Sequence, residues 1–90
     1  MKKTSNGISY NLRNIVYERD SYTCVLCERP ASECHHVVHR SLGGRDTPAN
    51  LVAVCRLHHL VLHGMAGEPG DMSAARAKVR EYVEASAEWG

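Results

Sequence analysis

The chain has 90 residues, 43% hydrophobic and 23% charged, with four Tyr, one Trp and no Phe. That is globular usage rather than disorder, yet it allows only one small domain whose thin core needs a staple. A net charge of +1 is too small to argue for nucleic acid from bulk electrostatics, and the longest apolar run, residues 51–55, is too short to span a membrane.

Residues 1–8 read as a flexible, basic arm. No apolar segment follows them, so no signal peptide is expected and a cytoplasmic, reducing compartment is the default. Leu12, Ile15, Val16 and Arg19 keep helical spacing, which predicts a short helix over 10–19. Residues 24–27 form a knuckle. His36-Val37-Val38-His39 suits a strand, with β-branched residues between turn formers. Residues 41–49 are turn chemistry, broken by Gly43-Gly44 and Pro48. A second strand is expected over 51–54 and a helix from Arg56 to about Met65. After the Gly and Pro residues at 64–70, Asp71 or Ser73 can cap a last helix running to about Ala87. Its apolar face is Met72, Ala75, Val79, Tyr82 and Val83. Residues 9–70 are thus expected to make one domain, with 71–90 as its packing helix. Charge falls along the chain, from +2 over 1–20 and +1 over 21–63 to −2 over 64–90, which is compatible with a phosphate-facing body.

All four Cys and all six His lie between Cys24 and His63. Such density points to metal. Cys24-x2-Cys27 and Cys55-x2-His58 are matching half-sites, and tetrahedral zinc takes four N/S ligands from two such turns. Zinc there would supply the missing staple. Small buried thiols are the plainer alternative, and Cys34 could stand in for His58, though it has no partner at knuckle spacing.

His59 and His63, at i and i+4, share a helix face about 90° from Cys55 and His58. One helix can therefore serve two metals. A third ligand must come from elsewhere, and the strand offers His35 and His36. Neighbours in a strand point to opposite faces, so only one of the pair suits the metal and the other is left for proton chemistry.

These residues resemble the HNH endonuclease family. The resemblance is carried by His35-His36-Val37-Val38, Gly43-Gly44, Pro48-Ala49-Asn50-Leu51-Val52, Cys55-Arg56-Leu57-His58-His59 and His63, and it runs from about Arg19-Asp20 to His63. The chain looks like the small, free-standing, zinc-knuckle members often encoded by phages and bacteria. Two positions depart from the common pattern: most members have Asp where His35 stands, and most zinc-bearing members have Cys where His58 stands.

The resemblance implies an α+β fold, a small ββα-metal (His-Me finger) hairpin core stapled by structural zinc and flanked by N- and C-terminal helices. It implies His36 as general base and Asn50 as the residue pinning the loop between the strands. His35, His59 and His63 would hold one catalytic divalent ion (Mg²⁺, Mn²⁺, Ni²⁺, Co²⁺ or Zn²⁺), beside a structural Zn²⁺ on Cys24, Cys27, Cys55 and His58. The implied reaction is hydrolysis of a DNA phosphodiester, leaving 5′-phosphate and 3′-hydroxyl ends in a bacterial or phage-infected cell. A monomer would nick and a dimer would cut both strands. Arg40 is the basic residue expected at DNA phosphate, while His39 stays between a phosphate contact and a solvent-facing residue. DNA is the implied partner, with a homodimer and phage packaging machinery left open. The competing reading is a non-catalytic zinc module that binds nucleic acid or protein.

Overall fold

In a computed structural model, residues 8–86 are described; most of the expected arm, residues 1–7, and residues 87–90, where the last helix was expected to end, lie outside them. The described residues are α+β, with three α-helices around one two-stranded antiparallel sheet. Helix α1, Tyr10–Arg19, starts where Ser9 accepts the Leu12 N–H on its hydroxyl at 3.1 Å. Val16 is its buried residue, whereas Ile15 is 44% exposed, so the inward stripe is narrower than the spacing suggested. Ile8, the last residue of the expected arm, is packed at 1% exposure against Val16, Cys34, Leu51 and Ala53.

Strand β1 is Glu33–His36 and β2 is Leu51–Val54, paired Glu33 to Val54, Cys34 to Ala53, His35 to Val52 and His36 to Leu51. The first strand therefore sits earlier than Val37 and Val38 suggested. The Val37 N–H still bonds the Asn50 carbonyl at 2.9 Å, but the Asn50 side chain then takes both backbone groups of Val38 and ends the ladder.

Leu51-Val52-Ala53-Val54 is apolar throughout because both sheet faces are covered. Leu51 and Ala53 pack with Val16 and Cys34 on the side of α1. Val52 and Val54 pack on the other side with Val61, Leu62, Ala75, Val79 and Val83. Full burial of such side chains stabilises by about 1.5–3 kcal/mol each.

Helix α2, Arg56–Leu62, ends earlier than expected. Gly64, at φ +76°, closes it: its N–H bonds Val61 O and the Met65 N–H bonds Leu60 O, the paired C-terminal bonds that a left-handed residue permits. Helix α3, Asp71–Ala85, carries the expected buried face at Ala75, Val79 and Val83. Its N-cap is Gly70; Asp71 instead folds back to accept the Glu68 N–H, and Ser73 makes no cap. Among the described residues no helix is long and apolar enough to cross a membrane.

A buried ion pair ties these elements together. The Arg19 guanidinium bonds both carboxylate oxygens of Asp20 and donates to Pro48 O and Leu51 O at 2.7 and 2.6 Å. Asp20 also accepts from Ala53 N and from the Tyr82 hydroxyl. A charge pair this deep persists only with its remaining hydrogen bonds satisfied, and here they reach β2, the turn before it and α3. Arg19 and Asp20 thus hold the end of the loop against the sheet.

Candidate metal centres and active site

Two groups of side chains that could hold a metal ion converge at α2. The first gathers Cys24 and Cys27, from the tight turn after α1, with Cys55 and His58 at the start of α2. Left-handed Ser21, Tyr22 and Glu28 shape that turn, and the Cys24 N–H closes it on Arg29 O at 2.7 Å. Cys27 and Cys55 sulfurs are 3.7 Å apart; His58 Nδ1 lies 3.7 Å from Cys24 Sγ and 3.4 Å from Cys55 Sγ. A tetrahedral zinc ion sets sulfur–sulfur edges of about 3.8 Å and sulfur–nitrogen edges of about 3.6 Å. The four donors fit zinc.

None of the four cysteines is in a disulfide. Burial pushes Cys55 up, but the His58 N–H and the neighbouring thiols more than offset this and bring it below the usual thiol range, toward the thiolate that zinc takes. Cys34 stands apart, within the α1-side core, and burial pushes its thiol up to about 11.

The second cluster is His35, His59 and His63. Strand alternation puts Glu33 and His35 on the face toward α2, and Cys34 on the opposite one. His59 and His63 project from α2 with their Nε2 atoms 3.2 Å apart, close to the roughly 3.4 Å edge of two imidazoles on one tetrahedral ion. His35 Nδ1 is buried with no hydrogen-bond partner among the described residues. Such an atom calls for an external partner. Burial, then the facing His59, His63, His39 and His36, bring the His35 pKa from 6.5 down to about 3, and burial and His59 lower that of His63. Both rings are therefore held neutral, the form a metal binds. Their donor set fits a divalent ion.

Glu33 had no role in the sequence reading. Its carboxylate bonds His59 Nδ1 and meets Arg56 at 3.2 Å, leaving His59 Nε2 turned toward His63. A carboxylate behind a metal-ligating imidazole fixes its tautomer and orientation. Its position two before His35, on the same strand face, was the available signal.

His36 is 7% exposed and ends β1. Its Nε2 lies 2.7 Å from Asp46 Oδ1. Arg40 grips the same carboxylate with two bonds, 3.1 and 2.7 Å, so the cation expected at DNA phosphate is ion-paired in the free chain. Asp46 was read only as turn chemistry; nothing local in the sequence links it to His36. Asn50 accepts Val38 N–H at 2.8 Å and donates to Val38 O and Arg45 O, both at 3.0 Å, pinning the loop. His39 rings the second cluster, 6.0 Å from His35 and 5.5 Å from His63 between ring centres. A cavity of about 260 Å³ opens over this cluster, lined by His35, His36, His39, Arg40, Ser41, His59 and His63.

No curated protein matches the chain. The family model of the HNH endonuclease matches residues 24–63, a span that opens on a ligand of the cysteine cluster, closes on His63 and contains both β-strands and α2. Residues 24–63 of the chain thus carry an HNH endonuclease domain, the domain of a family of nucleases.

Proposed function

We propose that this chain is a metal-dependent endonuclease that hydrolyses DNA phosphodiester bonds. The observation that carries the reading is the convergence of His35, His59 and His63 beneath a cavity that His36 also lines. A binding module stapled by the cysteine cluster has no need of a second histidine cluster beside an unligated base.

In this reading the β1–β2 hairpin and α2 form a ββα-metal core. Cys24, Cys27, Cys55 and His58 hold a structural Zn²⁺, while His35, His59 and His63 hold one catalytic divalent ion. Three imidazoles suit Zn²⁺, Ni²⁺, Co²⁺ or Mn²⁺ better than Mg²⁺. When bound, the ion supplies positive charge beside the phosphate and the leaving 3′ oxygen. Glu33 keeps His59 Nε2 free for it. His36 takes a proton from water, whose oxygen attacks phosphorus in line, giving 5′-phosphate and 3′-hydroxyl ends. Asn50 keeps the loop in place behind His36, and Arg40 meets a DNA phosphate at the cavity edge without reading sequence. A single hairpin cuts one strand, so a monomer nicks and a homodimer cuts both.

The test is nicking of supercoiled plasmid with Mg²⁺, Mn²⁺, Ni²⁺, Co²⁺ or Zn²⁺, comparing wild type with His36→Ala. Wild type should nick and bind two metal equivalents; the variant should keep both ions and lose cleavage by at least about 100-fold. Equal nicking by the variant removes the base assignment. No nicking by wild type with any ion leaves a non-catalytic zinc module.

A further inference from the structure

The loop between the strands returns a carboxylate to the end of β1: Asp46 Oδ1 lies 2.7 Å from His36 Nε2. This carboxylate is clamped. Arg40 Nε donates to the same oxygen at 3.1 Å, and Arg40 Nη2 donates to Oδ2 at 2.7 Å. The Arg40 bonds, then the one to His36, hold the Asp46 carboxyl down at about 2, so at neutral pH it only accepts. His36 must then donate from Nε2. A neutral imidazole has one N–H, so Nδ1 is left with its lone pair. Among the described residues Nδ1 has no hydrogen-bond partner, it is not sealed from solvent, and the ring lines the cavity.

We propose that Asp46 is a positioning residue for the hydrolysis: it fixes His36 in the Nε2–H tautomer and leaves Nδ1 as the atom that accepts the proton of water. The inference rests on the endonuclease reading above. The water O–H bond breaks and its proton passes to Nδ1 as the oxygen bonds phosphorus. The bond from phosphorus to O3′ breaks with its electron pair on O3′, which takes a proton from solvent. The imidazolium so formed keeps Asp46 as its counter-charge. Arg40 aims the carboxylate and prevents it from turning away.

Asp46→Asn keeps the size and removes the obligate acceptor. Two Arg40 donors compete for its one amide oxygen, which turns the amide N–H₂ toward His36 and favours the opposite tautomer. The experiment combines ¹⁵N NMR of the His36 ring in the zinc-loaded full chain with nicking kinetics. Wild type should show a protonated Nε2 and an unprotonated Nδ1. In Asp46→Asn the two signals should exchange character or average, kcat should fall about 100-fold, and KM should not rise, because Arg40 loses the charged partner that competes with a DNA phosphate. Zinc content and the thermal melt check that the variant folds; if it does not, the wild-type tautomer alone decides. A wild-type ring protonated at Nδ1, or an unchanged kcat in a folded Asp46→Asn, overturns the proposal. Loss of nicking in His36→Ala beside an unchanged Asp46→Asn sinks this inference alone. Equal nicking by His36→Ala, or none by wild type, sinks the endonuclease reading with it.

Discussion

Asn50 holds Val38 by both of its backbone groups, accepting the N–H at 2.8 Å and donating to the carbonyl at 3.0 Å. The side chain does what a further residue of β2 would otherwise do, while freeing the backbone to leave the sheet. Asn50→Ala removes three hydrogen bonds and is expected to cost about 1–3 kcal/mol. Asn50→Asp should fare no better, because it keeps the acceptor for Val38 N–H but sets a carboxylate against two carbonyls. Hydrogen exchange at the Val38 amide should accelerate in both variants, and nicking should fall by at least about tenfold, with zinc on the cysteine cluster retained. Unchanged exchange at Val38 would sever the loop's order from Asn50.

Gly44 lies under the same carbonyl. A Cβ there would stand 1.7 Å from Val38 O and 2.9 Å from Asn50 Nδ2, and the first of these is backbone with little room to yield. The neighbouring Gly43 is the reverse case: its φ is +90°, yet a Cβ meets nothing within 4 Å. Gly43→Ala should cost only the left-handed penalty, about 1–2 kcal/mol. Gly44→Ala should be much worse, displacing the loop that brings Asp46 to His36. Thermal melts and plasmid nicking of the two variants should rank them in that order; the opposite ranking would mean that backbone conformation, not space, sets the requirement.

The paired half-sites at Cys24/Cys27 and Cys55/His58 were legible because a two-residue spacing is local geometry, repeated wherever a turn presents two donors. The helical offset of His59 and His63 was legible for the same reason. Strand β2 announced itself as an apolar run, but β1 did not. Val37 and Val38 drew it too far along the chain, since the element that ends it, the Asn50 side chain, is twelve residues from Val38 in sequence. The polar contacts of Asp46 and Tyr82 were missed on similar grounds: their partners, His36 and Asp20, are 10 and 62 residues away, and no periodicity encodes such contacts.

The cysteine cluster joins the turn after α1 to the start of α2, and the apolar core around it is small. A structural zinc ion there is expected to supply much of the folding free energy, on the order of 10 kcal/mol. Cys24→Ser, or EDTA added to wild type, should collapse the far-ultraviolet circular dichroism rather than selectively abolish cleavage. Cys34→Ala is the control: that thiol lies in the other core cluster, so zinc content should be unchanged and stability only slightly lower. A Cys24→Ser protein that stays folded with its full zinc content would remove the cluster from its scaffolding role.

Tyr82 anchors α3 by donating its hydroxyl to Asp20, whose carboxylate already serves Arg19 and Ala53 N. Burial, and then the bond to Asp20, raise the Tyr82 pKa above its ordinary 10. The folded state therefore holds this proton more tightly than the unfolded chain. The stabilisation is complete below pH 10 and is lost as pH rises through the folded value. Tyr82→Phe deletes the donor and leaves Asp20 one bond short, at a cost of about 1.5–3 kcal/mol near pH 8. The gap between wild type and variant should narrow above pH 10, where wild type loses the contribution that the variant never had. Urea unfolding of the zinc-loaded proteins at pH 8 and at successive values above 10 reads both effects. A gap that stays constant over that range would mean that the ring, not its proton, is what α3 contributes to Asp20.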